Sequence, residues 1–268
     1  MKILCPTDFS PCANTALEYA VQLCNRLGAE LHLLSAYSSS GDRISRFPTV
    51  DVARVNVEQQ LEQLVAGIAP LLTTDHTPVT RVMEDRPVAA IRRYVDYKEI
   101  DLVVMGTHGD TVLRNVLFGS NALKAISKSR VPILVIPDVK NAAFLDRRFV
   151  LALDNRWLEE LDGFALLKRL SKAYRRPFDI LHVVEPSERG ETPVDPYVRT
   201  LLGEAMGEVI LLAGNDPVEQ IRFYAEHNQV GILAMIRHRH SFFEKLILKD
   251  HTDAELANTR VPLLVIPE

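Results

Sequence analysis

The segment Arg130-Val-Pro-Ile-Leu-Val-Ile-Pro137 returns almost letter for letter as Arg260-Val-Pro-Leu-Leu-Val-Ile-Pro267, 130 residues further on. A short apolar run bounded by prolines reads as a buried strand of limited pairing length, and its recurrence marks a repeated structural unit. The same offset lays Leu102-Val-Val-Met105 over Ile232-Leu-Ala-Met235 and Asp85-Arg-Pro-Val88 over Asn215-Asp-Pro-Val218. Upstream the offset grows, because Lys2-Ile-Leu-Cys-Pro-Thr-Asp8 corresponds best to Arg148-Phe-Val-Leu-Ala-Leu-Asp154. The second copy is therefore shorter in its first half. The 268 residues divide into two units of ordinary domain size, 1–140 and 146–268.

Inside the first unit, strand-type and helix-type segments alternate. Ile3 to Cys5 is a short apolar run closed by Pro6. Ser10 is a good N-cap, Pro11 suits the first helical position, and Ala13, Ala16, Leu17, Ala20, Cys24 and Leu27 fall on one helical face that Gly28 ends. Leu31 to Ala36 follows as a strand, then a stripe of Val57, Leu61, Leu64, Val65 and Ile68 as a helix. The spacing next predicts a strand to Met83, a helix over Val88 to Tyr97, a strand over Leu102 to Met105, a helix over Ser120 to Lys128 and a last strand to Ile136. The second unit repeats this order, with helices predicted from about Trp157 to Tyr174, Val198 to Met206, Val218 to His227 and Asp253 to Asn258. Strands apolar throughout, each joined to the next by a helix, imply a parallel sheet covered on both faces: a doubly wound α/β unit, present twice.

Composition narrows the partners. Hydrophobic residues make up 47% of the chain and charged residues 25%, which is globular rather than disordered. A net charge of -4 gives no global attraction for nucleic acid or anionic lipid, so neither is expected. Cys5, Cys12 and Cys24 form neither a disulfide framework nor a metal-ligand spacing. With no secretory pattern at the start and no apolar run long enough to span a bilayer, a cytoplasmic protein without membrane insertion is expected. Cys5 and Cys12 are expected to pack near the first strand rather than to act as redox sensors.

In open α/β sheets, ligands bind beyond the carboxyl ends of the strands. The richest such segment is Gly106-Thr-His-Gly109, continued nine residues later by Gly119-Ser120 at a helix start. Glycines let backbone amides converge on an anion, and a helix N-terminus adds unsatisfied donors with roughly half a positive charge. The pattern is a phosphate cradle. Asp8 at the tip of the first strand can accept from ribose hydroxyls, or can simply shape a turn, and Ser120 can donate to a phosphate oxygen. His108 is expected in solvent rather than in catalysis.

These features resemble the universal stress protein family, over essentially the whole chain and in two tandem copies. The resemblance implies a Rossmann-like, adenine nucleotide alpha-hydrolase-like fold with five strands per unit. It implies that Gly106, Gly109, Gly119 and Ser120 hold the phosphates and ribose of ATP, that Pro6, Thr7 and Asp8 surround adenine and ribose, that Ala36 packs on adenine, and that Met105 and Asn121 line the pocket. A Mg²⁺ or Mn²⁺ ion would bind only through the phosphates. It also implies that the last strands pair antiparallel, Ile133 to Ile136 against Leu263 to Ile266, so that one chain forms its own dimer about a pseudo-two-fold axis. Association of two chains through the glycine loop stays open.

The second unit departs from the pattern. Gly106 becomes Ile236, Gly109 becomes Arg239, Gly119 becomes Lys249 and Ser120 becomes Asp250, while Asp154 survives opposite Asp8. Arg237-His-Arg-His240 reads as a solvated basic loop. One ATP site per chain is expected, in the first unit. The sequence lacks a Gly-x4-Gly-Lys-Ser/Thr loop, a Gly-x-Gly-x-x-Gly turn after the first strand and a Gly-x-Ser-x-Gly elbow. Between Gly109 and Gly119 the only cation is Arg114, so efficient phosphoryl transfer is not expected. Three readings follow. One is a regulatory nucleotide-binding module whose loop from Asp110 to Phe118 changes order for a protein partner. The others are a slow ATPase or self-phosphorylating enzyme acting at Ser120 or Thr107, and an interaction scaffold without nucleotide.

Overall fold

A computed structural model describes residues 1–37, 52–107, 119–138, 145–153, 163–184, 196–237 and 261–268. The first half contributes β1 (Lys2–Pro6), α1 (Pro11–Leu27), β2 (Glu30–Tyr37), α2 (Val52–Ile68), β3 (Val79–Glu84), α3 (Pro87–Lys98), β4 (Leu102–Gly106), α4 (Ser120–Lys128) and β5 (Ile133–Ile136). The second contributes β6 (Arg148–Leu153), α5 (Gly163–Tyr174), β7 (Phe178–Val184), α6 (Pro196–Leu202), β8 (Met206–Ala213), α7 (Pro217–His227), β9 (Val230–Arg237) and β10 (Leu263–Pro267).

Among the described residues ten strands form one sheet, in the order β3-β2-β1-β4-β5-β10-β9-β6-β7-β8. Every neighbouring pair is parallel except β5 and β10, which run antiparallel with Leu134 opposite Leu264. The pairing expected of the two repeated strands is thus present within one chain. Ile133, Leu134 and Val135 pair with Val265, Leu264 and Leu263, and these six residues, with Ile136 and Ile266, are all at most 2% exposed. Full burial of each such side chain contributes about 1.5–3 kcal/mol, which is why these sequences are apolar in both copies.

Helices cover both faces. Residues of α1, α2, α5 and α6 pack in one layer with Ile3, Cys5 and Val104 from the strands. Residues of α3, α4 and α7 pack in the other with Leu4, Val103 and Met105. Alternate strand residues point to opposite faces, so apolar side chains are needed at every position.

Local signals account for the helix limits. Ser10 caps α1, its hydroxyl accepting from the Ala13 amide at 3.2 Å, and Gly28 closes it with a left-handed φ of 60°. The expected helix from Val198 to Met206 is shorter: Gly203, at φ 54°, ends the α-helical run after Leu202 and Met206 already belongs to β8. In α2 only Leu61 and Ile68 of the expected stripe are buried, while Val57, Leu64 and Val65 pack half-exposed against the core.

Candidate functional site at the ends of β1 and β4

From β1 the chain passes to β2 and β3 on one side, then returns to β4 and β5 on the other. Strands β1 and β4 lie side by side, with Ile3 opposite Leu102 and Leu4 opposite Val103. The crevice at their carboxyl ends is the topological switch point of this half-sheet, where open α/β sheets bind ligands. Pro6, Thr7 and Asp8 leave β1 on one side of it, and Gly106 and Thr107 leave β4 on the other.

The turn after β1 is tightly built. The Thr7 amide donates to the Leu34 carbonyl at 2.8 Å, and the Phe9 amide donates to Thr7 Oγ1 at 2.9 Å. The Ser10 amide donates to Asp8 Oδ1 at 3.1 Å. Phe9 sits at φ 64°, a left-handed conformation that a bulky residue adopts only when its surroundings impose it. The result keeps Thr7 buried and the Asp8 side chain exposed beyond the strand end. Asp8 therefore shapes the turn through one oxygen while facing solvent. Ala36, half-buried on β2, stands two residues beyond Leu34, which is level with Pro6.

Gly106 has a packing part besides the one its motif suggests. Neither it nor Gly119 uses the left-handed backbone. A Cβ on Gly106 would lie 2.6 Å from Cys12 Sγ and 2.9 Å from the Cys12 carbonyl oxygen, so the missing side chain admits the first turn of α1. Thr107 then ties three elements together. Its amide donates to the Ile136 carbonyl at 3.0 Å, its carbonyl accepts from the Gly119 amide at 2.6 Å, and its hydroxyl is 3.6 Å from Cys12 Sγ. No local signal in the sequence distinguishes a strand-end threonine or an early helical cysteine, so the tie between Thr107 and Cys12 is visible only in the fold. Met105 is buried in the layer beneath α3 and α4.

Gly119 is the N-cap of α4. The first-turn amides of Ser120, Asn121 and Ala122 have no intrahelical partner, as in any helix, and Gly119 offers them no side-chain acceptor. By contrast α1 is capped by Ser10 and α7 by Asp216, whose carboxylate accepts from the Val218 amide at 2.9 Å. Ser120 and Asn121 are exposed on that turn, whereas Thr107 is buried. Of the two hydroxyls considered as phosphoryl acceptors, only Ser120 reaches solvent.

Gly109, His108, Arg114 and the loop from Asp110 to Phe118 lie outside the described residues, as do Asp154, the start of the helix expected from Trp157, His238, Arg239, His240, Lys249, Asp250 and the helix expected over Asp253 to Asn258. Arg237, expected to open a solvated basic loop, is instead the half-buried last residue of β9, and its guanidinium donates to the carbonyls of Ile126 and Ser129. Ile236, in the place of Gly106, is buried.

The three cysteines are free and buried. Burial raises the Cys5 thiol far above its usual range, with Cys24 nearby adding to the effect, and pushes Cys24 up to about 12. Among the described residues no group of three or more His, Cys, Asp or Glu is arranged to hold a metal, and no helix is long and apolar enough to cross a membrane.

A doubly wound parallel sheet with its crevice at the β1/β4 switch defines a Rossmann-like α/β protein. Residues 1–137 match the universal stress protein family, and the chain belongs to that family. Universal stress protein MJ0577 of Methanocaldococcus jannaschii is 28% identical over 152 residues, covering 50% of this chain and 93% of that one. Universal stress protein MJ0531 of the same organism is 24% identical over 141 residues, covering 52% and 83%. Each spans about half of this chain, as a tandem repeat requires. A universal stress protein from Archaeoglobus fulgidus DSM 4304 superposes with a TM-score of 0.68 at 18% identity, over 99% of this chain and 98% of that one. A putative universal stress protein from Pseudomonas aeruginosa UCBPP-PA14 gives 0.57 at 13% identity, over 99% and 92%. These last two likenesses concern the fold.

Proposed function

We propose that the first half binds ATP at the β1/β4 switch point and that the protein acts as a nucleotide-binding regulatory module in a stress response. The observation that carries this reading is the amino end of α4, which Gly119 leaves without a side-chain cap, at the end of β4, whose neighbour β1 leads into the turn of Asp8. Phosphates would meet the amides of Ser120, Asn121 and Ala122, together with Gly109 and the Ser120 hydroxyl. Ribose hydroxyls would donate to Asp8, and adenine would sit toward Pro6, Thr7 and Ala36. A Mg²⁺ or Mn²⁺ ion would be carried by the phosphates, since the chain supplies no ligand cluster among the described residues. In the second half Ile236 and Arg237 stand in place of Gly106 and Thr107, and that half would serve as the internal mate of the first rather than as a second site.

Bound nucleotide would set the surface offered to a protein partner beside the site. A second reading is slow hydrolysis or self-phosphorylation, favoured at Ser120 by its exposure. Equilibrium binding of radiolabelled ATP, followed by a turnover assay on the same sample, tests both. Binding without turnover supports the module, and turnover or label on Ser120 supports the enzyme. ATP at 100 times its dissociation constant should stabilise the chain by about 2.7 kcal/mol, and Gly109→Arg should abolish that gain. No binding at all would leave the scaffold reading.

A further inference from the structure

Helix α4 is nine residues long and is held at both ends. At its amino end the Gly119 amide donates to the Thr107 carbonyl at 2.6 Å. At its carboxyl end Arg237 donates through Nη1 to the Ile126 carbonyl and through Nη2 to the Ser129 carbonyl at 2.9 Å. Thr107 and Arg237 are 130 residues apart and stand at the ends of equivalent strands, Thr107 just after β4 and Arg237 as the last residue of β9. The two copies of one strand end thus fasten opposite ends of a single helix. One belongs to the half with the glycine pattern, and the other to the half without it.

The chemistry of this clamp is specific. The last carbonyls of a helix lack intrahelical donors. The planar guanidinium can serve two acceptors at once, which a lysine ammonium does with far less directional restraint. A cation here also complements the negative end of the helix dipole, whose positive end faces the switch point. Burial lowers the Arg237 guanidinium from its usual value, and the charge of Glu268 opposes that effect. Lys128 and Arg130 lie on the same turn but are exposed.

We infer that Arg237 is a positioning residue through which the second half sets the anion affinity of the first. By fixing the last turn of α4 it holds the whole short helix, and with it the amides of Ser120, Asn121 and Ala122, in the orientation a phosphate meets. The inference rests on the nucleotide reading above. Coupling between binding free energies is reciprocal, so ATP should in turn protect the carboxyl end of α4.

The test compares the full-length protein with Arg237→Ala, Arg237→Lys and, as a control, Asp216→Ala, which removes the cap of α7 without touching α4. Hydrogen exchange over residues 120–131 is measured without nucleotide, and the dissociation constant of ATP for each protein. Arg237→Ala should speed exchange in α4 and weaken ATP binding at least about fivefold, Arg237→Lys should recover part of both, and Asp216→Ala should change neither. Unchanged α4 exchange in Arg237→Ala, or faster exchange with an unchanged dissociation constant, overturns the inference while leaving nucleotide binding intact. So does equal weakening by Asp216→Ala, which would reduce the effect to general stability. Failure of the unsubstituted protein to bind ATP overturns the nucleotide reading itself, and the coupling with it.

Discussion

The main chain of Cys12 crosses Gly106 so closely that a methyl group on the glycine would stand 2.9 Å from the Cys12 carbonyl oxygen and 2.6 Å from the sulfur. The first helix therefore reaches the end of β4 only because position 106 has no side chain. Gly106→Ala should destabilise the protein by about 1–3 kcal/mol with no nucleotide present, as overpacking does. Adding Cys12→Ala should recover only part of this, because the carbonyl clash remains. Urea unfolding midpoints of the two variants check the prediction, and an unchanged midpoint for Gly106→Ala would contradict it.

A second prediction concerns a buried pair repeated with altered chemistry. His32 on β2 is 2% exposed, with Nδ1 2.9 Å from the Tyr94 hydroxyl on α3 and Nε2 3.2 Å from Glu30 Oε1. In the second half the matching tyrosine, Tyr224, accepts from Arg148 at 3.1 Å, and Arg148 lies 3.4 Å from Asp179. Strand register puts Asp179 where His32 stands, opposite Val150 as His32 is opposite Leu4. Burial holds the His32 imidazole below its usual value of 6.5, outweighing the opposite pull of Glu30. The unfolded chain then binds the proton more readily than the folded one, so stability is full above about pH 6.5 and declines as pH falls toward the folded value. His32→Gln should flatten this decline, measured as the urea midpoint between pH 7.5 and 5.

The joint between the halves yields a third. Leu134 and Leu264 face each other across β5 and β10 and are both buried. Each Leu→Ala change should cost about 2–5 kcal/mol. Because the residues are direct neighbours, the double variant should depart from additivity by about 0.5–3 kcal/mol. Strict additivity in denaturant unfolding would mean that the two strands do not meet.

Thiol chemistry supplies a fourth. With both thiols buried and held in the protonated form, Cys5 and Cys24 should resist alkylation at pH 8. Their labelling by iodoacetamide should follow the rate of global unfolding and rise sharply in urea. Rapid labelling of either in the native protein would refute this.

Most of the scaffold was legible because its signals are local. The proline-bounded apolar run located β5 and β10, Ser10 with Pro11 and Gly28 delimited α1, and Gly119-Ser120 marked the start of α4. Contacts between distant segments were not legible. Gly106 reads the same whether it admits an anion or a neighbouring helix, and only the crossing of Cys12 shows that the second use applies. Thr7 and Asp8 read as nucleotide contacts, yet their oxygens also build the turn around Phe9. The Arg237 side chain reaches carbonyls more than a hundred residues earlier in the chain, which no spacing rule registers. The likeness of His32 to Asp179 is hidden because the 130-residue offset that marks the repeat begins only after the second strand.

The antiparallel seam between β5 and β10 has a further consequence. Two separate subunits meeting along such a seam would come apart on dilution, and as identical copies neither could change without the other. Here both strands belong to one polypeptide, so their encounter is intramolecular and independent of protein concentration. Covalent linkage also releases the later copy from self-identity, leaving it free to keep the strand its sibling requires while its own glycines give way to isoleucine and arginine.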